Sequence, residues 1–166
     1  MKKRILSIVS SVIVLCFVFT VSILDVQAMD NEVIQVDGSY LTTQETSIGK
    51  SPSDLLRGEY LMDGECSITK AGRNRIYVYA ATTADSYVDY IAVDIYVDQY
   101  NEETGNWEQI DAWYVEDTDN YFVATSKSII VERGYYYRVH AEHFAGMKDE
   151  YPYEETTSYT DGILVP

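Results

Sequence analysis

Cysteine, proline and histidine are nearly missing from this sequence, and each shortage closes off a class of explanation. Of 166 residues, two are Cys, three Pro and two His. Cys16 lies within an apolar N-terminal run, so Cys66 is the single cysteine left to a folded domain, and no intramolecular disulfide can form there. Stability must therefore come from packing. Cys66 alternates with Ile68 in Gly64–Thr69, which reads as a buried, small apolar residue. A Cys66-linked dimer is the alternative, and a monomer is expected. His140 and His143 are three residues apart, and on a strand such residues face opposite ways, so no shared metal site is expected. Both are read as ordinary surface or strand-end histidines. Cys66 and the histidines belong to different strands without an orienting motif, so no nucleophile–base pair is expected either.

Basic residues are also in deficit, 12 against 27 acids, for a formal charge of −15. Nucleic acid and anionic membrane surfaces are poor partners for such a chain. Acids alone do not make a hydrolase, which needs carboxylates facing each other at about 5 to 10 Å across a cleft. Asp94 and Asp98 on a flat strand do not supply one. With no nucleotide, metal or catalytic signature, the chain is read as non-enzymatic and without a cofactor.

What is present begins with Lys2, Lys3 and Arg4, an apolar run from Ile5 to Phe19, and small residues at Val26-Gln27-Ala28. This is the pattern of a cleaved secretory signal over residues 1–28. The run of about 15 apolar or small residues is shorter than the ~20 of a membrane span. Secretion to the extracellular space follows, with no membrane attachment after cleavage. Removing three basic residues and Asp25 leaves 138 residues with a charge of −17, enough for one domain with a real core.

Residues 29–58 are rich in Ser, Thr, Asp and Gln and read as an extended or poorly ordered leader. Val33, Ile34, Val36 and Leu41 could dock a short strand there, and Asp54-Leu55-Leu56 one helical turn. From residue 59 to 166 short alternating strands follow one another. Tyr60–Thr69 is the first and Arg75–Thr83 the second. Tyr87–Tyr100 is the third, with Ile91, Val93, Ile95 and Val97 inward and Tyr90, Asp94, Tyr96 and Asp98 opposite. Asn101–Asn106 is a hairpin loop with Gly105 at the left-handed position. Trp107–Val115 returns, Tyr121–Val131 follows whole or broken, and Gly134–His143 places Tyr135, Tyr137, Val139 and Ala141 inward. Tyr159–Val165 closes the sheet. About seven strands without βαβ spacing predict an all-β, antiparallel β-sandwich of immunoglobulin or fibronectin type III character. Tyr135 or Tyr137 is the candidate for a tyrosine corner.

The runs Tyr60–Gly72, Ile76–Ala84 and Gly134–Val139 resemble a family of small secreted proteins of Gram-positive bacteria that carries no assigned function. The likeness spans about Gly38 to Val165 and implies secretion, but no catalytic residues.

Two surfaces could carry function. The loop Glu116–Asn120 groups hard oxygen ligands as calcium requires, with Lys148-Asp149-Glu150 as a second acidic loop, though it lacks the glycine and distal glutamate of an EF-hand. A calcium-dependent adhesin is one alternative. The aromatics are the other: if Ile110 and Ala112 point in, then Trp107 and Trp113 point out beside Tyr90, Tyr96 and Tyr100. Tyr136, Arg138 and His140 join that wet face. These residues suit contact with an extracellular protein or, with exposed coplanar tryptophans, a glycan.

Overall fold

The alternating patterns become ten strands in a computed structural model that describes residues 38–52 and 58–166. They are β1 (Leu41–Thr42), β2 (Thr46–Lys50), β3 (Leu61–Lys70), β4 (Arg75–Val88) and β5 (Tyr90–Asn101), followed by β6 (Asn106–Asp117), β7 (Asn120–Ile130), β8 (Tyr135–Gly146), β9 (Glu154–Tyr159) and β10 (Gly162–Val165). The signal segment, Val33, Ile34, Val36 and Asp54–Leu56 lie outside the described residues.

One sheet runs β1-β10-β8-β5-β6, with β9 also on β8, and the other runs β2-β3-β4-β7. All pairings are antiparallel except β1 with β10. Between the sheets, Ile91, Val93, Ile95 and Val97 of β5 and Tyr137, Val139 and Ala141 of β8 meet Ile68, Ile76, Val78 and Ala80 in one buried cluster. The expected third and sixth strands, β5 and β8, are central neighbours with ten paired positions. Tyr135, expected inward, is exposed at the mouth of β8. Tyr137 is buried, and its hydroxyl donates to the Glu132 carbonyl at 2.9 Å, so of the two corner candidates it is the one whose hydroxyl returns to nearby backbone. Burial pushes that phenol up to about 12.

The strand count exceeds seven for two local reasons. The expected closing strand, Tyr159–Val165, is interrupted at Thr160-Asp161, so that its end is β10, while β9 begins earlier, at Glu154, within the stretch 146–157 that the sequence reads as turns. At the bend the Thr160 side chain replaces a ladder acceptor, taking the Val139 amide at 2.8 Å. The stretch read as a leader contributes β1 and β2. β2 was invisible to hydrophobic periodicity because its buried positions are Ser47 and Gly49, while Ile48 is exposed. Gly49 is required there: an added Cβ would overlap the backbone of Tyr159, which crosses directly beneath. The Ser47 hydroxyl accepts the Asp161 amide at 2.9 Å, tying β2 to the same bend.

Of two further residues, Cys66 follows expectation and His143 departs from it. Cys66 is fully buried, and burial pushes its thiol up to about 12. His143 is fully buried too, rather than at the surface or a strand end. The alternation that places Tyr137, Val139 and Ala141 inward continues to it, and two other strands supply polar partners. Nδ1 lies 2.9 Å from the Thr82 hydroxyl on β4 and Nε2 lies 2.8 Å from the Ser158 hydroxyl on β9. Thr82 donates its own proton to the Ala92 carbonyl at 2.9 Å. Nδ1 therefore carries the imidazole proton, and Nε2 accepts from Ser158. The ring is held neutral across the two sheets, and burial lowers its pKa to about 4.

Two outcomes follow for stability. Gly49→Ala is expected to cost about 2 kcal/mol or more in urea unfolding through the clash with Tyr159, whereas Ile48→Ala beside it stays within about 0.5 kcal/mol. His143 has a lower pKa folded than unfolded, so the unfolded chain takes up its proton first as pH falls. Stability present above about pH 6.5 is lost toward pH 4, by roughly 3 kcal/mol from this group. Denaturant midpoints across that range are expected to show the slope, and His143→Gln, less stable at pH 7, is expected to lack it.

Candidate functional site

The outward face of the sheet containing β5, β6, β8 and β9 carries a continuous layer of rings around one carboxylate. Its centre is set by the β5–β8 register, which opposes Asp98 to Arg138 and Tyr96 to His140. Asp98 points away from the core, as alternation requires, yet it is buried because the Arg138 and His140 side chains cover it. Arg138 Nε donates to Asp98 Oδ2 at 2.9 Å, and His140 Nδ1 lies 3.1 Å from the same oxygen. Burial alone would push the Asp98 carboxyl up; hydrogen bonds from His140 and Arg138 overcome it and hold the carboxyl below its usual range. Arg138 Nη1 also donates to the Gly38 carbonyl at 2.9 Å.

Rings stack outward from this ion group. Tyr96 lies on His140 at 4.7 Å and 11°, and His140 on Tyr159 at 5.5 Å and 16°. The Arg138 guanidinium sits 4.4 Å from the Trp107 ring centre and 5.9 Å from that of Tyr159. Tyr100 packs against Trp107 at 5.1 Å. Trp107 reaches far enough because position 162 is glycine: a Cβ there would stand 2.6 Å from Trp107 Cη2. The layer is held in place by packing and charge.

Of the seven residues singled out in the sequence, Tyr96, Tyr100, Trp107 and Arg138 come together here. Tyr90 and Tyr136 lie on the same face at opposite ends. Tyr90 stacks on Tyr153 at 4.5 Å and 17°, and Tyr136 makes no ring contact among the described residues. Trp113 is on the other side. The β5–β6 register pairs Val97 with Asp111 and Asp98 with Gln109, leaving Ile110 as an extra residue in a bulge. That one residue reverses the phase between Trp107 and Trp113. Trp113 opposes Ile95 and packs against the core, with Nε1 3.3 Å from Thr125 Oγ1 and Lys127 Nζ 4.8 Å from its ring centre. Ile110 and Ala112, expected inward, are exposed. Together with the Lys127–Asp111 ion pair, Trp113 closes the side of the sandwich between edge strands β6 and β7.

Tyr159 and Tyr114 were not singled out. Tyr159 follows from alternation only if β9 is known to end there. Tyr114, 67% exposed and opposite Asp94, takes its outward phase from the bulge.

The acidic loop Glu116–Asn120 uses one of its acids, Asp117, to brace its own turn. Asp117 accepts the Asn120 side-chain amide and the Thr118 backbone amide, each at 2.8 Å, and these bonds lower its pKa. Glu150 accepts the Tyr60 hydroxyl at 2.8 Å. Among the described residues, no cluster of three or more acidic, histidine or cysteine side chains is arranged to hold a metal ion.

Asp98→Ala is expected to leave Arg138 and His140 without their shared carboxylate and to cost about 3 kcal/mol. Urea unfolding measures the loss, and near-UV circular dichroism is expected to report loosened Tyr96 and Trp107 rings.

No curated protein matches the chain. A family model described as a family of unknown function does match, over residues 27–161, and the chain belongs to that family, DUF6147.

Proposed function

We propose that the chain is a secreted, non-enzymatic binding domain of fibronectin type III-like topology that contacts an extracellular partner through the ring-bearing face of β5, β6, β8 and β9. The stacked layer from Tyr96 to Trp107 carries this reading. Its rings are partly open to solvent, locked by the Asp98 ion group, and not needed to fill the core. Large, rigid, polar-tipped rings are what contact surfaces use.

The topological part of the reading rests on β3-β4-β7 facing β6-β5-β8-β10, with Tyr137 returning its hydroxyl to backbone and no disulfide between the sheets. Secretion rests on the basic start, apolar run and small residues of positions 1–28. The non-enzymatic part rests on the burial of the one Ser–His contact among the described residues: Ser158 and His143 are both enclosed between the sheets, out of reach of a substrate. A glycan site built on two coplanar tryptophans loses its geometry because Trp107 and Trp113 point to opposite faces.

The test is a binding assay of the purified protein against extracellular and cell-envelope proteins and a glycan array, beside two variants checked to be folded. Tyr96→Ala/Tyr114→Ala alters the proposed face, and Tyr121→Ala/Phe122→Ala alters exposed rings on β7. Binding weakened about tenfold or more in the first and unchanged in the second is the expected result. Equal retention by both variants would sink the proposal.

A further inference from the structure

The ring-bearing face already holds one guanidinium, and the way it does so extends along the strands to a place that has no cation. At the Asp98–Arg138 row, the guanidinium lies against a carboxylate, with an aromatic ring on either side. Two rows along, the β5–β8 register opposes Asp94 to Glu142, and the β5–β6 register sets Tyr114 beside Asp94. Glu116 follows Tyr114 on the same side of β6. The Tyr96 hydroxyl lies 3.4 Å from Glu142 Oε2 and that of Tyr90 3.3 Å from Glu116 Oε2, so two of the carboxylates are held by the rings between them.

The components of the Arg138 arrangement are thus repeated: tyrosine rings alternating with carboxylates, on rigid neighbouring strands. The cation is not. Among the described residues no Lys, Arg or His forms an ion pair with Asp94, Glu116 or Glu142, and the Arg138 and His140 side chains, nearest in register, are committed to Asp98. Like charges directly opposite on neighbouring strands destabilise a sheet. The Asp94 carboxyl is pushed up by burial first and then by the charge of Glu116 on the neighbouring strand.

We infer that the Tyr96–Tyr114 side of this face binds an arginine- or lysine-bearing segment of a partner protein, its cationic side chains lying between the tyrosine rings against Asp94, Glu142 and Glu116. The inference rests on the proposed use of this face and adds the chemistry of the partner. A guanidinium gains from both ring faces and carboxylates, and the net charge of −15 steers such a segment toward the protein.

The probe is a fluorescent Ser/Gly peptide carrying alternating arginines, with the same peptide carrying citrulline as a neutral isostere, titrated into the purified protein by anisotropy. Native protein is expected to bind the arginine peptide, more weakly as salt rises, and the citrulline peptide about tenfold or more weakly. Asp94→Asn/Glu142→Gln is expected to lose about tenfold in affinity while melting no lower than native, because a repulsion has been removed. Glu102→Gln/Glu103→Gln in the β5–β6 hairpin removes the same charge and is expected to bind within about twofold of native. Equal loss in the hairpin variant would mean bulk charge attraction and overturn the inference, as would equal binding of the two peptides or none of the arginine peptide. If the citrulline peptide binds as well as the arginine one and Tyr96→Ala/Tyr114→Ala abolishes both, the face is a contact surface and only its cationic specificity fails.

Discussion

The pairing of β5 with β8 is the constraint on which both sides of this molecule depend. Ten consecutive positions are matched from Tyr90–Gly146 to Gln99–Tyr137. On one side that register brings Val93, Ile95 and Val97 level with His143, Ala141 and Val139, and the core forms around them. On the other it sets Asp98 against Arg138 and Tyr96 against His140. A slip of one residue would exchange the two sets, placing charges between the sheets and valines in water. Hydrophobic burial therefore does more than stabilise the sandwich: it also aligns the ionic and aromatic groups outside.

The two polar clusters show how differently the same residue types are used according to depth. His143 is enclosed, neutral and satisfied by two hydroxyls, and it joins strands of both sheets. His140, three residues earlier, lies at the surface of one sheet against a carboxylate and between two tyrosine rings. Burying an unpaired charge is costly, so the inner histidine is kept uncharged. The outer group instead buries Asp98 beneath two partners, and rings exclude water around them. That shielding strengthens the charge-assisted hydrogen bonds and makes the outer layer rigid.

Edges and crossings decide the remaining shape. The sandwich is open between β6 and β7, where Trp113, Thr125 and the Asp111–Lys127 pair bridge the sheets. At the opposite border β2 passes over the bend between β9 and β10, an approach that only Gly49 permits. Both features are short-range, and neither has a periodic signature.

Much of the sandwich was legible in the sequence because period-2 alternation reports directly which side of a strand is wet. Ile91 to Val97 and Tyr137 to Ala141 announced the inner faces, and Gly105 marked the turn between β5 and β6 where φ is positive. The outward placement of Tyr90, Tyr96, Tyr100, Trp107, Tyr136 and Arg138 followed from the same rule. Three things were decided only by tertiary structure. The bulge at Ile110 turned Trp113 to the core, because register belongs to a pair of strands and cannot be counted along one. β2 formed from polar and small residues because a crossing backbone, rather than apolar burial, selected Gly49. Asp98, His140, Arg138, Tyr159 and Trp107 became one site because four strands place them within reach of one another, and distance across a sheet is not encoded in spacing along a chain.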